Sequence, residues 1–180
     1  MAVDIQKLKY PIGYYTPPKK FTIAYKNDCI DRIEALPKKL KRAVKGLSPS
    51  QLRTKYRPGG WTVRELLNHI PDSHMNAYVR FKWTLTEKTP TIKAYNEKIW
   101  VKTSEVKSYD IDITLKFLEA HHARWVQLLR SMPMKDYEKQ FKHPETGKKN
   151  PLTKWLGVYA WHGEHHLAQI TELKKRKGWK

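Results

Sequence analysis

The residues of this 180-residue chain whose type and spacing could do chemistry are eight histidines: His69, His74, His121, His122, His143, His162, His165 and His166. A neutral imidazole is a nitrogen ligand for zinc-like divalent ions. Two of them reach one ion from a helix when they stand four residues apart, one turn on and about 40° round. His162 and His166 have that spacing. At about 100° per residue, Leu152, Leu156, Tyr159, Gly163, Leu167, Ile170 and Leu173 mark one buried stripe. His166 falls inside it and His162 at its edge, whereas His165 points away. The pair is therefore aimed at an interior, either as metal ligands or as hydrogen-bonded core histidines.

Catalytic sites for such ions take three protein ligands and leave a position open. With Cys29 the only cysteine, neither an intramolecular disulfide nor a thiolate cage is possible, so the third ligand has to be a histidine or a carboxylate. A second helical segment offers His69 and His74. Periodicity favours His74, which shares the stripe of Val63, Leu67, Ile70, Ala77 and Phe81, while His69 sits well round the side. Spacing leaves both open. His121 and His122 are adjacent, cannot share a helix face, and read as structural. His143 with Glu145 is a candidate for the mouth of a site. Asp72 and His74 are candidates for orienting an imidazole from behind. Glu164 follows His162 by two and points to another face, so no dedicated general base is evident.

The elements that must position these groups read as follows. Residues 1–20 carry Pro11, Gly13, Pro17 and Pro18 and predict an extended arm. Residues 21–47 place Ile30, Ile33, Leu36, Leu40, Val44 and Leu47 at helical spacing, with Pro37 kinking or restarting the helix. Ser48 and Pro49 then suit the start of a short helical turn. Thr62 with Glu65 has capping-box spacing and opens a second helix to about residue 87. Residues 88–110 lack a sustained period and predict a long loop. A third helix is expected from about 111 to 132, a turn or small hairpin over 141–150, and a last helix from about 151 to 177 stopped by Gly178. Four long helices, one long crossover and no internal repeat predict an all-α bundle in a single domain spanning 1–180.

Composition bounds the partners. Lys and Arg number 36 against 17 Asp and Glu, a net charge of +19, which attracts polyanions. The basic residues nevertheless sit in solvated runs, Lys38 to Lys45 and Lys174 to Lys180. No helix-turn-helix, zinc-finger or stacking-sheet motif accompanies them, so nucleic acid is not the expected partner. No apolar run reaches the roughly 18–20 residues of a membrane span, and the first ten residues lack the apolar core of a secretory signal. A cytoplasmic protein with no membrane partner is expected.

Several stretches carry a resemblance that covers nearly the whole chain: Gly59-Gly60-Trp61-Thr62-Val63-Arg64 to His69, Asp72-Ser73-His74-Met75-Asn76, Tyr159-Ala160-Trp161-His162 to His166, and Ile170-Thr171-Glu172-Leu173. Tyr10-Pro11-Ile12-Gly13, Tyr78 to Lys82 and His143-Pro144-Glu145 add to it. The chain resembles the DinB/YfiT-like superfamily, and within it the YfiT type. The resemblance implies an up-down-down-up four-helix bundle, often a homodimer, with a divalent metal such as zinc or nickel held by three histidines. Carried over residue by residue, these are His69, His162 and His166. It implies a metal-dependent hydrolase with a position open for activated water, acting on a small molecule. The alternative is a metal-dependent transferase joining a low-molecular-weight thiol to an electrophile, and a basic nucleic-acid-binding protein is a further one. Two residues depart from the pattern. Pro71 stands where a small helix former is more usual, and a proline there removes a backbone bond and would re-aim His69. Asn96 replaces a more usual acidic residue.

Overall fold

The computed structural model describes residues 4–108 and 110–180. The arm is not extended throughout. It opens with one helical turn, α1 (Ile5–Lys9), because the Asp4 carboxylate accepts the N–H groups of Gln6 and Lys7. Thr22 caps α2 (Ile23–Val44), which runs through Pro37 as one helix rather than restarting there. Ser48 and Gln51 form a reciprocal capping box on α3 (Pro49–Leu52), and Thr62 and Glu65 do the same for α4 (Val63–Thr86). The expected loop contains two short helices, α5 (Glu97–Trp100) and α6 (Ser104–Ser108). Asn96 caps the first of them, with its side-chain oxygen on the Ile99 N–H, which gives the departure at that position a local purpose. Asp110 caps α7 (Ile111–Ser131). A 3₁₀ turn at Met134–Glu138 leads to the expected hairpin, β1 (Gln140–Lys142) antiparallel to β2 (Lys149–Pro151), with Phe141 opposite Asn150. The last helix, α8 (Leu152–Lys177), stops where Gly178 takes φ +64°.

Contacts between named residues give the helix directions. Tyr25, Arg32, Leu36 and Ala43 of α2 meet positions 157, 164, 163 and 174 of α8, so these two run parallel. Thr114 and His122 of α7 meet Asn68 and His74 of α4, also parallel. His69, His74 and Arg80 of α4 meet His166, His162 and Tyr159 of α8, antiparallel. The topology is therefore up-down-down-up. Two parallel neighbours in sequence, α4 and α7, oblige the chain to return the length of a 24-residue helix, about 36 Å, between them. That is the structural reason for the long crossover.

Two apolar clusters fill the bundle. One gathers Phe81, Trp125, Tyr137, Phe141 and Leu156, the other Leu36, Leu40, Leu66, Leu118 and Ile170. The histidines occupy the level where they meet: His74 lies between Ile70 and Ala77 on α4, and His122 between Leu118 and Trp125 on α7. Among the described residues no helix is long and apolar enough to cross a membrane.

Candidate metal centre

The antiparallel seam of α4 and α8 sets His69 opposite the pair one turn apart on α8. His69 Nε2 lies 3.0 Å from His162 Nε2, and the three rings of His69, His162 and His166 pack with centroids 4.5–5.1 Å apart. One ring nitrogen from each falls within 4.8 Å of the others, the only grouping of His, Cys, Asp or Glu with metal-ligand spacing among the described residues. His69 and His166 are buried and His162 is partly exposed. Burial holds all three imidazoles neutral: the His69 pKa is pushed down to about 4, and those of His162 and His166 fall well below the usual value, with the neighbouring histidines adding repulsion. Neutral rings have lone pairs to give. The donor set, three nitrogens and no carboxylate, fits a zinc-type divalent ion.

His74, the position that periodicity favours, lies elsewhere. It is fully buried, with Nδ1 2.8 Å from His122 Nε2 and Nε2 3.2 Å from His162 Nδ1, so it stands behind the cluster rather than in it. The apolar stripe of α4 marks the bundle centre, whereas the cluster lies on the seam with α8, to one side. Nor does Pro71 turn His69 away, since α4 continues through it as helix.

His165 also departs from expectation. Its ring is buried, stacked on Trp161 at 4.6 Å and covered by Tyr10 at 5.5 Å. The N-terminal arm closes over this face, Gln169 donating to the Lys9 carbonyl and the Trp161 indole to that of Gly13. Gln169 Nε2 also contacts His165 Nε2 at 2.9 Å, which leaves the Gln169 carbonyl oxygen to accept from His166 Nδ1 at 2.8 Å. His166 therefore carries its proton on Nδ1 and has Nε2 free to bind. Spacing alone had a hint of this residue, three positions after His166.

The remaining candidates are dispersed. Asp72 faces a pocket with Glu105 and Phe117 on the other flank of α4, and no hydrogen bond joins its carboxylate to an imidazole. Glu164 is held by Arg32 at 2.6 Å and by Lys39, which removes it as a base. His143 and Glu145 lie in the hairpin turn ahead of α8 and do not line the cluster's pocket. His121 packs against Phe117 and Tyr78.

Beside the cluster opens a pocket of about 450 Å³, walled by His165, His166, Gln169, Tyr10, Tyr56 and Trp61 and rimmed by Lys9, Arg57, Glu97 and Lys98. Trp61 covers His69 at 4.7 Å. Gly60 makes this wall possible, because a Cβ there would fall 2.7 Å from both Arg57 Cγ and the Tyr56 ring. The result is a ligand-sized cleft that reaches the cluster at His166, with Trp61 standing between it and His69.

Comparison with known proteins gives the family and the fold. The DinB superfamily profile matches residues 32–170. The chain belongs to the DinB superfamily. Within that superfamily it is 49% identical over 172 residues to the "Putative metal-dependent hydrolase" of Bacillus cereus (strain 03BB102), covering 96% of this chain and 98% of that one. Identity and coverage are the same for the protein of that name from Bacillus anthracis (strain A0248). Among solved structures it matches YfiT from Bacillus subtilis, described as a probable metal-dependent hydrolase with an unusual four-helix bundle topology, at TM-score 0.93 and 45% identity over 97% of this chain and 99% of that one. A mycothiol-dependent maleylpyruvate isomerase matches at TM-score 0.64 and 14% identity over 81% of this chain and 60% of that one, a likeness of fold alone. This DinB superfamily member thus has the four-helix bundle that its sequence resembles.

Proposed function

We propose that the protein is a metal-dependent hydrolase of small molecules in which His69, His162 and His166 hold one divalent ion, zinc or nickel. One observation carries the reading: three uncharged imidazoles converge within 4.8 Å with no carboxylate among them, beside a pocket of ligand size. The names of relatives at 49% identity along almost the whole chain support it. A divalent ion held by neutral nitrogens keeps its full charge, supplies Lewis acidity and brings the pKa of water toward about 7. The chain's own residues do the rest. Gln169 holds the His166 ring by its Nδ1 proton, Trp61 and Tyr10 shield the histidines from bulk water, and the Lys9, Arg57 and Lys98 rim draws in a substrate with negative character. The single, buried Cys29 fits a cytoplasmic setting.

The test is elemental analysis of the purified chain and of His162→Ala, followed by turnover. One ion per wild-type chain, its loss in the variant, and hydrolysis of ester or amide substrates by loaded but not stripped protein are expected. Metal retained stoichiometrically by His162→Ala would remove the site. Consumption of an electrophile only when a low-molecular-weight thiol is added, with no hydrolysis, would replace the hydrolase reading by the transferase one.

A further inference from the structure

His74 and His122 are the most deeply buried histidines of the protein, at 0% and 1% exposure, and the proposed chemistry uses neither. Together with His162 they form a continuous file of imidazoles that ends on a backbone carbonyl of another helix. His122 Nδ1 lies 2.7 Å from the Ile33 oxygen of α2, His122 Nε2 lies 2.8 Å from His74 Nδ1, and His74 Nε2 lies 3.2 Å from His162 Nδ1. The His74 and His122 planes are within 10° of parallel, and Trp125 and Tyr159 present ring faces or edges to His74 at 5.4 and 5.8 Å.

The direction of every proton in this file follows from its end. A carbonyl oxygen only accepts, so His122 donates from Nδ1 and, being neutral in a fully buried place, offers a lone pair at Nε2. His74 must therefore donate from Nδ1, and its Nε2 in turn becomes an acceptor. His162 then has to donate from Nδ1, which leaves its Nε2 unprotonated on the side of His69 and His166. We infer that His74 and His122 are positioning residues that fix the tautomer of His162, so that the Nε2 lone pair is the atom presented to a divalent cation. The file is a lock and not a proton path to solvent, since it ends at a buried carbonyl. His166 is fixed in the same sense by Gln169, while the buried Nδ1 of His69 has no partner. With His162 Nε2 unprotonated, His69 Nε2 donates to it across their 3.0 Å contact, and to offer that same nitrogen to a cation His69 would have to carry its proton at Nδ1 instead. Two ligands are thus set in advance by protein groups and one adjusts.

This inference rests on the metal reading, and the experiment separates the two. Long-range ¹H–¹⁵N spectra of the full-length, metal-free protein at neutral pH read each ring's tautomer directly. His122, His74 and His162 are expected in the Nδ1–H form. A zinc titration against a chromophoric chelator then compares wild type with His74→Phe, His122→Phe and a neighbouring control, His121→Ala. Affinity is expected to fall about 10- to 100-fold in the first two and to hold in the control, with His162 shifting to mixed tautomers. His162 protonated at Nε2 in the wild type, or unchanged zinc affinity in both Phe variants, overturns the lock. Should a Phe variant not fold, the wild-type spectrum decides alone. A wild type that takes up no zinc overturns the metal centre, and the tautomer pattern is still read without it.

Discussion

Asp72 is three residues beyond His69 and yet works against the fold rather than for the site. Burial first, and the Glu105 carboxylate second, push its pKa up from 3.8 to about 6. Between those values the unfolded chain has lost this proton and the folded chain still holds it, so stability falls as pH rises through that window and the loss is complete above it. Asp72→Asn is accordingly expected to melt higher than wild type at pH 7.5, with the difference vanishing toward pH 4 and zinc stoichiometry unchanged. Thermal melts of both proteins across that range measure it, and an equal or lower melting temperature for the variant at pH 7.5 would be the wrong sign. The same scale shows what single residues disclose in sequence. The i, i+4 spacing of His162 and His166 is legible because one helix carries both. His69 was placed by resemblance alone, because which flank of α4 meets α8 is a property of the bundle and not of α4. His122 had a readable sign, since it lies on the stripe of Leu118, Trp125 and Leu129, where an isolated polar residue calls for a partner.

Among elements, the approach of α2 to α8 is the one that holds the histidine file in place. Gly163, beside His162, is the hinge of that approach: a Cβ there would collide with the Leu36 side chain and come within 3.3 Å of His74 Cε1. Leu36 is 1% exposed and has nowhere to retreat. Gly163→Ala improves intrinsic helix propensity by about 1 kcal/mol, but overpacking a tight core costs about 1–3 kcal/mol, so a net loss of stability is expected together with weaker zinc binding. Denaturant unfolding with a zinc titration tests both, and a stabilised variant with native affinity would show that the helices do not need this contact. Helix boundaries were readable where a cap adjoins a sustained periodic run, as at Thr62 with Glu65 and at Gly178. The short helices α1, α5 and α6 were not, because each depends on a single Asp or Asn cap or on packing, and a turn or two of helix leaves no periodicity to find. The burial of His165 was hidden for a related reason: the arm that covers it is distant in sequence, and helical periodicity records only the neighbours of the bundle.

For the molecule as a whole, the interior imidazoles link folding to protons more strongly than any surface charge does. Seven of the eight histidines are held below their usual pKa, with burial the leading cause in each. His122, at about 4 against 6.5 in an unfolded chain, sets the window. Between these values the unfolded state binds a proton that the folded state refuses, so stability is present above about 6.5 and is lost as pH falls. Each such residue adds about 1.4 kcal/mol per pH unit to the slope. Asp72 acts in the opposite direction but is one group against several. A domain stabilised by about 5–15 kcal/mol cannot carry four or more of these groups down to pH 4, and the metal-free protein is therefore expected to unfold between pH 6.5 and 4 with uptake of several protons. Denaturant titrations at stepped pH, together with the proton uptake on unfolding, give the slope. His122→Asn should make it shallower by about one proton. Zinc at 100 times its dissociation constant should add about 2.7 kcal/mol at neutral pH, and it should move the acid transition downward, since protons and the cation compete for the same lone pairs. Stability independent of pH from 7 to 4 would mean that the imidazoles are not sealed from water as the bundle places them.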